Sequence, residues 1–491
     1  MTTNVLPSEA ALQHARASLL SQIPQSGHGD EATQRHLHND LLPALNKSSQ
    51  SPNYYGFVTG GSTPIAALAD NLVTAHDQNV QVHLPNETAA TNIEAAALRM
   101  LCDLVDLSPT EWRHKTFTTG ATASTIIGLT CGREYVVREA ARRIGIFNSG
   151  SVAEDGLFEA MTAAKIDRVQ IVTSVPHSSL RKAAAVVGLG RKCFIDVGCD
   201  TASHRFDMPQ LARALKTPRT ASIVAVSCAE INTGLFATNA DDMQSIRKLA
   251  DEYGAWIHVD AAFGLPARLL ASNVGYDALL EGVAGIQLAD SITGDAHKLL
   301  NVPYDCGFLF SKDLALAQHC FQNPNAAYLA SVVSQPTNAA EPSIPSPLNI
   351  GIENSRRFRA LPVYASLMAY GKNGYVEMLV RQISLTRAIA TYIDGHDAYE
   401  LLPNDPSRTL EERLANVYII VLFRAKGQAL NGELVQRING SKRIYVSGTQ
   451  WEGRPAARFA VSNWQVDVER DIALVKKVMD DVANDARPAS S

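Results

Sequence analysis

Between residue 86 and about residue 312, short runs rich in β-branched residues alternate with amphipathic segments of helical periodicity. The predicted strands are 166–173, 221–227, 256–260 and 306–311, and the predicted helices between them are 178–187 and 241–253. Strands that alternate with helices imply βαβ units, and therefore an α/β fold with a mostly parallel sheet covered by helices. In such folds ligands bind at the carboxyl ends of the strands, so functional residues are expected just after them.

The flanking segments follow other patterns. Residues 1–85 begin with a predicted helix over 9–23 and then become rich in turn residues. Residues 313–348 carry Pro324, Pro336, Pro342, Pro345 and Pro347, and a loop of that length is predicted to be a lid or a linker. The elements predicted beyond it are helices over 348–394 and 468–484 and strands over 416–423 and 458–462. We therefore predict an N-terminal helical segment 1–85, a large α/β domain 86–345 with its lid, and a small α+β domain 346–491.

Composition excludes several classes of protein. The chain has 491 residues, 46% of them apolar and 19% charged, which predicts a globular chain with a large core. Its formal net charge of −5 offers no general attraction for nucleic acid. The 7 cysteines are scattered, which predicts reduced thiols rather than disulfides or a metal site. No secretory signal or run long enough to span a membrane is found, so a cytoplasmic location is expected.

The first candidate site opens a predicted helix. The motifs G-x-G-x-x-G, G-x-x-x-x-G-K-[ST], H-E-x-x-H and G-x-S-x-G are absent, so a ligand must be held in another way. Small and hydroxyl residues from Thr118 to Thr122 precede a helical run over 126–141. Free N–H groups and the helix dipole at such a start suit a phosphate. The alternative is that Thr118 or Thr119 simply caps the helix.

Three further candidates follow strands. Asp260 ends an apolar strand, where a carboxylate is costly to bury unless it meets a cation, although it could also cap the next turn. Lys298 lies among apolar residues and is suited to act as an amine nucleophile, although most lysines are simply solvated. His177 follows another strand, where a structural role is the commoner one. Together with a phosphate site, these side chains form the set that pyridoxal 5′-phosphate requires.

At these residues the chain resembles the group II pyridoxal-phosphate-dependent amino acid decarboxylases, the family of aromatic-L-amino-acid, tyrosine and glutamate decarboxylases. The resemblance spans about residues 51–372 and is most specific in His258-Val-Asp-Ala-Ala-Phe and Asp290-Ser-Ile-Thr-Gly-Asp-Ala-His-Lys. Ser355-Arg-Arg-Phe-Arg-Ala-Leu is similar to the family's arginine-rich stretch. The resemblance implies a fold-type I enzyme, with a mostly parallel sheet of the seven-stranded type and a small C-terminal domain.

The resemblance also implies roles for individual residues. Ala121 and Thr122 would meet the phosphate with Asp295 nearby, and His297 would belong to the cofactor site. His177 would stack on the ring, Asp260 would pair with its nitrogen, Ala262 would pack beneath it, and Lys298 would form the Schiff base. Tyr328 in the lid would return a proton to the substrate. Tyr54, Tyr55 and Phe57 are expected to line the substrate site, although core packing explains them equally well.

Three positions depart from the family pattern. Ile231 stands where a hydroxyl residue is common near the cofactor, and Ala121 replaces a glycine of the phosphate turn. Leu299 follows the lysine where animal and plant aromatic-acid enzymes often have tryptophan. The chain is therefore expected to represent a divergent branch, to which the family's substrate rules carry over poorly.

The resemblance predicts decarboxylation of an L-amino acid, aromatic in the first instance (tyrosine, DOPA or tryptophan), to the amine and carbon dioxide. It implies a homodimer with active sites at the subunit interface. The net charge and the lack of a long apolar run predict no nucleic-acid or membrane partner. One alternative is an aldehyde synthase, which decarboxylates and oxidatively deaminates with oxygen. Others are a different fold-type I reaction, such as transamination or cysteine desulfuration, and a cofactor-free binding protein.

Overall fold

The computed structural model describes residues 4–147, 150–272, 275–323 and 344–485. In chain order the strands are β1 (Tyr54–Tyr55), β2 (Asn79–Val80), β3 (His114–Thr118), β4 (Arg168–Thr173), β5 (Phe194–Asp196), β6 (Gly198–Cys199), β7 (Ala202–Phe206), β8 (Thr220–Ser227), β9 (Trp256–Asp260), β10 (Ser291–Asp295), β11 (Gly307–Ser311), β12 (Arg356–Arg357), β13 (Tyr399–Leu402), β14 (Ile420–Ala425), β15 (Tyr445–Trp451) and β16 (Arg454–Ala460).

The α-helices are α1 (Glu9–Ser18), α2 (Asp30–His36), α3 (Pro64–His76), α4 (Ala90–Leu104), α5 (Ala121–Arg143), α6 (Val152–Asp155), α7 (Leu157–Ala163), α8 (Ser178–Val186), α9 (Met208–Leu215), α10 (Ala240–Tyr253), α11 (Asp277–Val283), α12 (Ala296–Leu299), α13 (Leu314–Phe321), α14 (Ala360–Gly395, interrupted at Gly371), α15 (Leu410–Ala415), α16 (Gln428–Gly440) and α17 (Val468–Asn484). Short 3-10 or π-helical turns lie at Leu37–Leu41, Leu42–Ala44, Leu265–Leu269, Ile286–Leu288 and Pro347–Asn349.

The chain forms two compact units. The larger unit comprises Ser62–Val380 and Glu411–Tyr418, and the smaller comprises Met1–Gly61, Arg381–Leu410 and Ile419–Ser491. Of the predicted N-terminal segment, the part up to Gly61 belongs to the smaller unit, in which β1 pairs with β15 in register Tyr54 to Tyr445. The domain boundaries predicted at residues 85 and 345 stay a prediction, since this division is discontinuous along the chain.

The larger unit is built on a seven-stranded sheet in the order β3-β11-β10-β9-β8-β4-β5. The strands from β10 through β5 run parallel to their neighbours, whereas β11 is antiparallel to both β10 and β3. The predicted fold class, an α/β fold with a mostly parallel sheet of seven-stranded type, is thus confirmed. The interior strands are buried almost throughout their length, which agrees with the apolar runs in β8 and β9.

The smaller unit contains a five-stranded sheet in the order β1-β15-β16-β14-β13. Its pairings are antiparallel except for β1 with β15. Helix α17 belongs to this unit, and within it the Tyr399 hydroxyl donates to the Met479 carbonyl at 2.7 Å. This is the α+β arrangement expected for the C-terminal region, joined here by the first residues of the chain.

Several predicted boundaries differ from the structure. Helix α1 ends at Ser18 rather than residue 23, because Leu19 is extended and Pro24 disfavours a helical residue before it. The stretch 313–348, predicted as a loop, begins with α13, whose first turn is capped by the Asp313 side chain bonded to the Leu316 N–H at 2.9 Å. The helix expected from residue 348 begins only at Ala360.

The arginine-rich stretch is held by ion pairs inside the larger unit. Arg356 donates to the Glu94 carboxylate at 2.8 Å, and both side chains are buried. Arg359 pairs with Asp305 at 2.8 Å. Removing either partner of the Arg356–Glu94 pair would leave a buried charge uncompensated. These ion pairs therefore hold the stretch in place where the chain leads into α14. Among the described helices, none combines the length and apolarity that a membrane span requires.

Two glycines let α5 approach the sheet closely. A Cβ placed on Gly128 would lie 2.7 Å from the His258 ring, and one on Gly132 would lie 2.8 Å from the Trp256 ring. Both rings belong to buried residues of β9 and are hydrogen-bonded to the Ser291 hydroxyl, so neither ring can rotate away without breaking its hydrogen bond. The absence of a side chain at these helix positions therefore sets the distance between α5 and β9.

We expect Gly128→Ala to lower the free energy of unfolding by about 1–3 kcal/mol, because the added methyl group overpacks against His258. The matched control is Gly432→Ala on α16, where an added Cβ meets nothing within 4 Å. That control should be neutral or stabilising, since alanine is the better helix former. Chemical denaturation of both variants measures the difference, and equal stability of the two would contradict close packing at Gly128.

Candidate active site

A cavity of about 380 Å³ opens where neighbouring strands of the seven-stranded sheet end. Ser227 is the last residue of β8, Asp260 of β9 and Asp295 of β10, and all three line it. The complete lining is Thr119, Gly120, Ala121, Thr122, Ala123, His177, Ser179, Ser227, Ala229, Ile231, Asp260, Ala262, Phe263, Asp295, His297 and Lys298. The volume lies within the roughly 300–1,000 Å³ typical of small-molecule sites.

The N-terminus of α5 forms one wall of the cavity. The helix is capped from outside, since the Ala121 N–H donates to Asp295 Oδ1 at 2.6 Å. Thr118 and Thr119 were the alternative caps, but the helix has no side-chain cap from its own Ncap residue Gly120, and Thr118 Oγ1 instead bonds the Gly120 N–H. Within the described part of the chain, the N–H groups of Thr122 and Ala123 have no protein acceptor. They remain available to an anion.

Asp295 connects two parts of the site. Its Oδ1 accepts from the Ala121 N–H, and its Oδ2 lies 2.8 Å from Lys298 Nζ. The carboxylate is buried, with 4% of its side chain exposed, while the Lys298 side chain is 19% exposed. One charged group therefore fixes both the start of α5 and the amine that faces the cavity.

His297 lies beside this pair in a defined tautomer. The Cys306 N–H donates to its Nδ1 at 3.1 Å, so the neutral ring carries its proton on Nε2, which lies 3.7 Å from Asp295 Oδ1. Burial lowers the pKa of His297, and the Asp295 carboxylate opposes that shift in part. The ring stacks on Tyr304 with centroids 4.2 Å apart, which holds its plane.

Among the described residues, no cation lies within hydrogen-bond distance of the Asp260 carboxylate. Its Oδ1 accepts only the Ala262 N–H, at 3.2 Å, so it caps the following turn as the alternative interpretation expected. Burial raises the pKa of the Asp260 carboxyl, and the charges of Lys298 and His177 lower it in part. A cationic partner in the cavity would favour the ionised form of this carboxyl.

His177 is the N-cap residue of α8 and lines the same cavity. Its Nδ1 accepts from the Ser179 N–H at 3.2 Å and lies 2.6 Å from the Ser179 hydroxyl. In the neutral ring the proton is therefore on Nε2. The imidazole caps its own helix, and that fixes the ring orientation at the rim of the site.

Most of the predicted site residues come together here. Ala121, Thr122, His177, Asp260, Ala262, Asp295, His297 and Lys298 all line the cavity. Tyr328 lies outside the described residues. Tyr54, Tyr55 and Phe57 belong to the smaller unit, where Tyr54 stacks on Tyr445 at 4.5 Å, Tyr55 is fully buried and Phe57 is 60% exposed. Their role towards substrate stays a prediction.

Sequence reasoning missed several lining residues. Ser179 follows His177 by two positions, and Ser227 ends a strand that was predicted correctly, so both could have been found from their positions. Ala229 and Phe263 had no such signal, because an alanine and a phenylalanine in an apolar stretch are typical of core packing. The link from Ala121 to Asp295 joins residues 174 positions apart and leaves no local pattern.

The residues present fit pyridoxal phosphate. Thr122 and Ala123 offer free N–H groups at a helix start, which suit a phosphate. Asp260 offers a buried carboxylate suited to a protonated ring nitrogen, and Lys298 offers an amine within the same cavity. Phosphate, ring nitrogen and aldehyde thus each have a chemically matched group.

The contacts of Asp295 with the Ala121 N–H and with Lys298 Nζ form a bridge, the Asp295 bridge, whose contribution to stability can be tested. Asp295→Asn keeps the shape but removes the charge and one acceptor, so we expect the free energy of unfolding of the cofactor-free protein to fall by about 1–3 kcal/mol. The same change made in a Lys298→Met background should cost less, because the ion pair is already gone. A double-mutant cycle by chemical denaturation measures this coupling, and additive costs would contradict the bridge.

The family model described as the pyridoxal-dependent decarboxylase conserved domain matches residues 16–417 of this chain. An L-2,4-diaminobutyrate decarboxylase of Acinetobacter baumannii is 29% identical over 66% of this chain and 58% of its own length, which is less than two thirds of that relative. Tryptophan decarboxylase 1 of Oryza sativa subsp. japonica is 25% identical over 92% of this chain and 85% of its own length.

Solved structures show the same fold. The crystal structure of Oryza sativa TDC with PLP and tryptamine matches with a TM-score of 0.78 and 19% identity, covering 98% of this chain and 93% of that one. The likeness agrees with the fold-type I architecture read from the sheet. Since the family model covers most of the sequence, the chain belongs to the pyridoxal-dependent decarboxylases, the pyridoxal-phosphate-dependent carboxy-lyases that act on amino acids.

Proposed function

We propose that the protein removes the α-carboxylate of an aromatic L-amino acid as carbon dioxide and releases the corresponding amine. The observation that carries the proposal is the meeting of Lys298, Asp260 and the start of α5 on one cavity at the carboxyl edge of the sheet. In the balanced reaction the bond between Cα and the carboxylate breaks, and a proton takes the place of the carboxylate at Cα. When bound, pyridoxal phosphate supplies the electron sink for the pair that this cleavage releases.

In this proposal the start of α5 binds the phosphate. Ala121 and Thr122 lie at the first positions of the helix, and the N–H groups of Thr122 and Ala123 are free among the described residues. The helix dipole adds to their attraction for an anion. Asp295 holds the first turn of α5 in place by accepting a hydrogen bond from the Ala121 N–H.

Asp260 holds a proton at the ring nitrogen. Burial raises the pKa of the Asp260 carboxyl, so a cation placed against it is stabilised and in turn favours the ionised carboxylate. The Ala262 N–H, at 3.2 Å from Oδ1, orients the group. Ala262 itself lines the cavity and is assigned a packing role beneath the ring.

Lys298 would supply the amine that holds the cofactor through its aldehyde. Its Nζ lies 2.8 Å from Asp295 and 5.8 Å from the centroid of the Phe263 ring. His177 is assigned to the face of the ring. Tyr328 is assigned the return of the proton to Cα on sequence grounds alone, with Lys298 or His177 as the groups able to do so within the described cavity.

The charges of the cavity favour an uncharged substrate side chain. Lys298 is the one Lys or Arg among the described lining residues, and Asp295 already pairs with it. An acidic amino acid would need a second cation for its side chain. Apolar groups of Ile231, Ala229 and Phe263 also line the cavity, which supports an aromatic substrate.

The homodimer is part of the same proposal. It rests on the family resemblance, as do the substrate-lining roles of Tyr54, Tyr55 and Phe57. The exposed Phe57 ring is the member of that set with surface left to contact another molecule.

The test is product analysis of the purified protein with added pyridoxal phosphate, in sealed vials, on a panel of L-amino acids that includes tryptophan, tyrosine, DOPA, glutamate, aspartate and 2,4-diaminobutyrate. We expect amine and carbon dioxide in equal amounts from an aromatic member, without oxygen uptake. Lys298→Ala should abolish the visible absorption band of the bound cofactor together with amine formation, because it removes the amine.

Each other outcome is informative. Amine formation from an acidic or diamino substrate alone would contradict the aromatic assignment. Aldehyde, ammonia and oxygen consumption would identify the synthase instead. A visible band without any carbon dioxide would favour another fold-type I reaction, and no band with added cofactor would favour the cofactor-free binding protein.

A further inference from the structure

The loop after β8 forms the wall of the cavity that carries Ala229 and Ile231. This is the segment in which the family's hydroxyl residue is replaced by Ile231. Between these two lining residues stands Glu230, which is only 2% exposed and does not line the cavity itself. Its carboxylate has no place in the chemistry proposed above, so its burial needs an explanation.

The backbone of the loop is tightly closed. The Glu230 N–H donates to the Leu235 carbonyl at 2.7 Å, and the Gly234 N–H donates to the Glu230 carbonyl at 2.7 Å. Ala229 adopts φ of 73°, a left-handed conformation that costs energy for a residue with a side chain. The loop therefore holds a strained residue at the cavity surface, and something must keep it there.

The Glu230 carboxylate binds the far side of the loop through both oxygens. Oε1 accepts from the Asn232 N–H at 2.9 Å and from Asn232 Nδ2 at 3.1 Å. Oε2 accepts from the Thr233 N–H at 2.8 Å and from the Thr233 hydroxyl at 2.9 Å. Four donors converge on one buried anion from the two residues that directly follow Ile231.

No Lys, Arg or His of the described chain forms an ion pair with Glu230, so these four donors are what stabilises its charge. Hydrogen bonds to a charged acceptor are stronger than neutral ones, and a donor left unpaired in a buried site is costly. The carboxylate of the residue before Ile231 bonds the two residues after it, so the backbone around Ile231 is held closed. This fixes the segment that presents Ile231 to the cavity.

We propose that Glu230 is a positioning residue for the cofactor, which acts by holding Ala229 and Ile231 as the wall of the cofactor cavity. The inference rests on the proposed function only in taking this cavity as the site of pyridoxal phosphate, and it is independent of the amino acid substrate. Ile231 has no hydroxyl to bond the cofactor, so this wall can contact the cofactor only through the placement of its apolar side chains. Glu230 maintains that placement.

The test is titration of the cofactor-free protein with pyridoxal phosphate, followed by the visible absorption band. Glu230→Gln replaces one acceptor oxygen with an NH₂ group, which faces two donors, so the loop must rearrange. We expect the dissociation constant for pyridoxal phosphate to rise at least about tenfold, as for the loss of one strong hydrogen bond. Thr233→Val removes one of the four donors to Glu230 and also the acceptor of the Leu235 N–H. It should raise the dissociation constant by a smaller factor, and it provides the test if Glu230→Gln does not fold.

The matched control is Glu134→Gln. Glu134 is also buried and accepts a backbone N–H, from Ala153 at 3.2 Å, but it does not line the cavity. Glu134→Gln should lower the melting temperature while leaving the dissociation constant for pyridoxal phosphate within about twofold of wild type. If Glu230→Gln and Thr233→Val behave like this control, Glu230 is merely structural and the proposal is overturned.

A double-mutant cycle tests whether Glu230 affects cofactor binding through the Ile231 side chain. Ile231→Ala should weaken cofactor binding, and Glu230→Gln should add little to it, because the side chain that Glu230 positions is already gone. Fully additive effects would overturn the proposed route. A wild-type protein that binds pyridoxal phosphate but forms no aromatic amine would refute the proposed substrate and leave this inference standing.

Discussion

The contact on which the site depends most is the bridge made by the Asp295 carboxylate. It caps α5 through the Ala121 N–H at 2.6 Å and pairs with Lys298 Nζ at 2.8 Å, so it joins the proposed phosphate wall to the proposed reactive amine. The bridge requires the strand register that puts Asp295 at the end of β10, where Thr293 is paired with Asp260 on β9. A slip of one residue would turn each side chain of β10 to the opposite face of the sheet.

Two carboxylates lie on neighbouring strands of this cavity, and their surroundings differ. Asp295 already has a cation and a backbone donor, so its role is complete before any ligand arrives. Asp260 has one backbone donor, and burial raises its pKa, so it gains most from a cation that binds in the cavity. The same residue type therefore bridges two parts of the site in one position, and in the other we propose that it binds the cofactor.

The parts that the sequence predicted are those with a local pattern. Strand β9 and helix α17 have the predicted bounds. Asp260 stood out because it ends an apolar strand, and Lys298 because it lies among apolar residues just past a strand. The insertion of antiparallel β11 next to β10 had no local signal, and neither did the parallel pairing of β1 with β15, which places the first residues in the smaller unit. Glu230 was also missed, since its four donors come from a loop whose shape cannot be read from composition.

The most direct measurement is to identify the residue that holds the cofactor. Sodium borohydride converts the linkage between an amine and the pyridoxal phosphate aldehyde into a stable secondary amine, which survives digestion and mass spectrometry. The account predicts a single phosphopyridoxyl group on Lys298, absent in Lys298→Ala. Attachment to a different lysine in the wild-type protein, or the absence of any adduct, would contradict the assignment of this cavity as the active site.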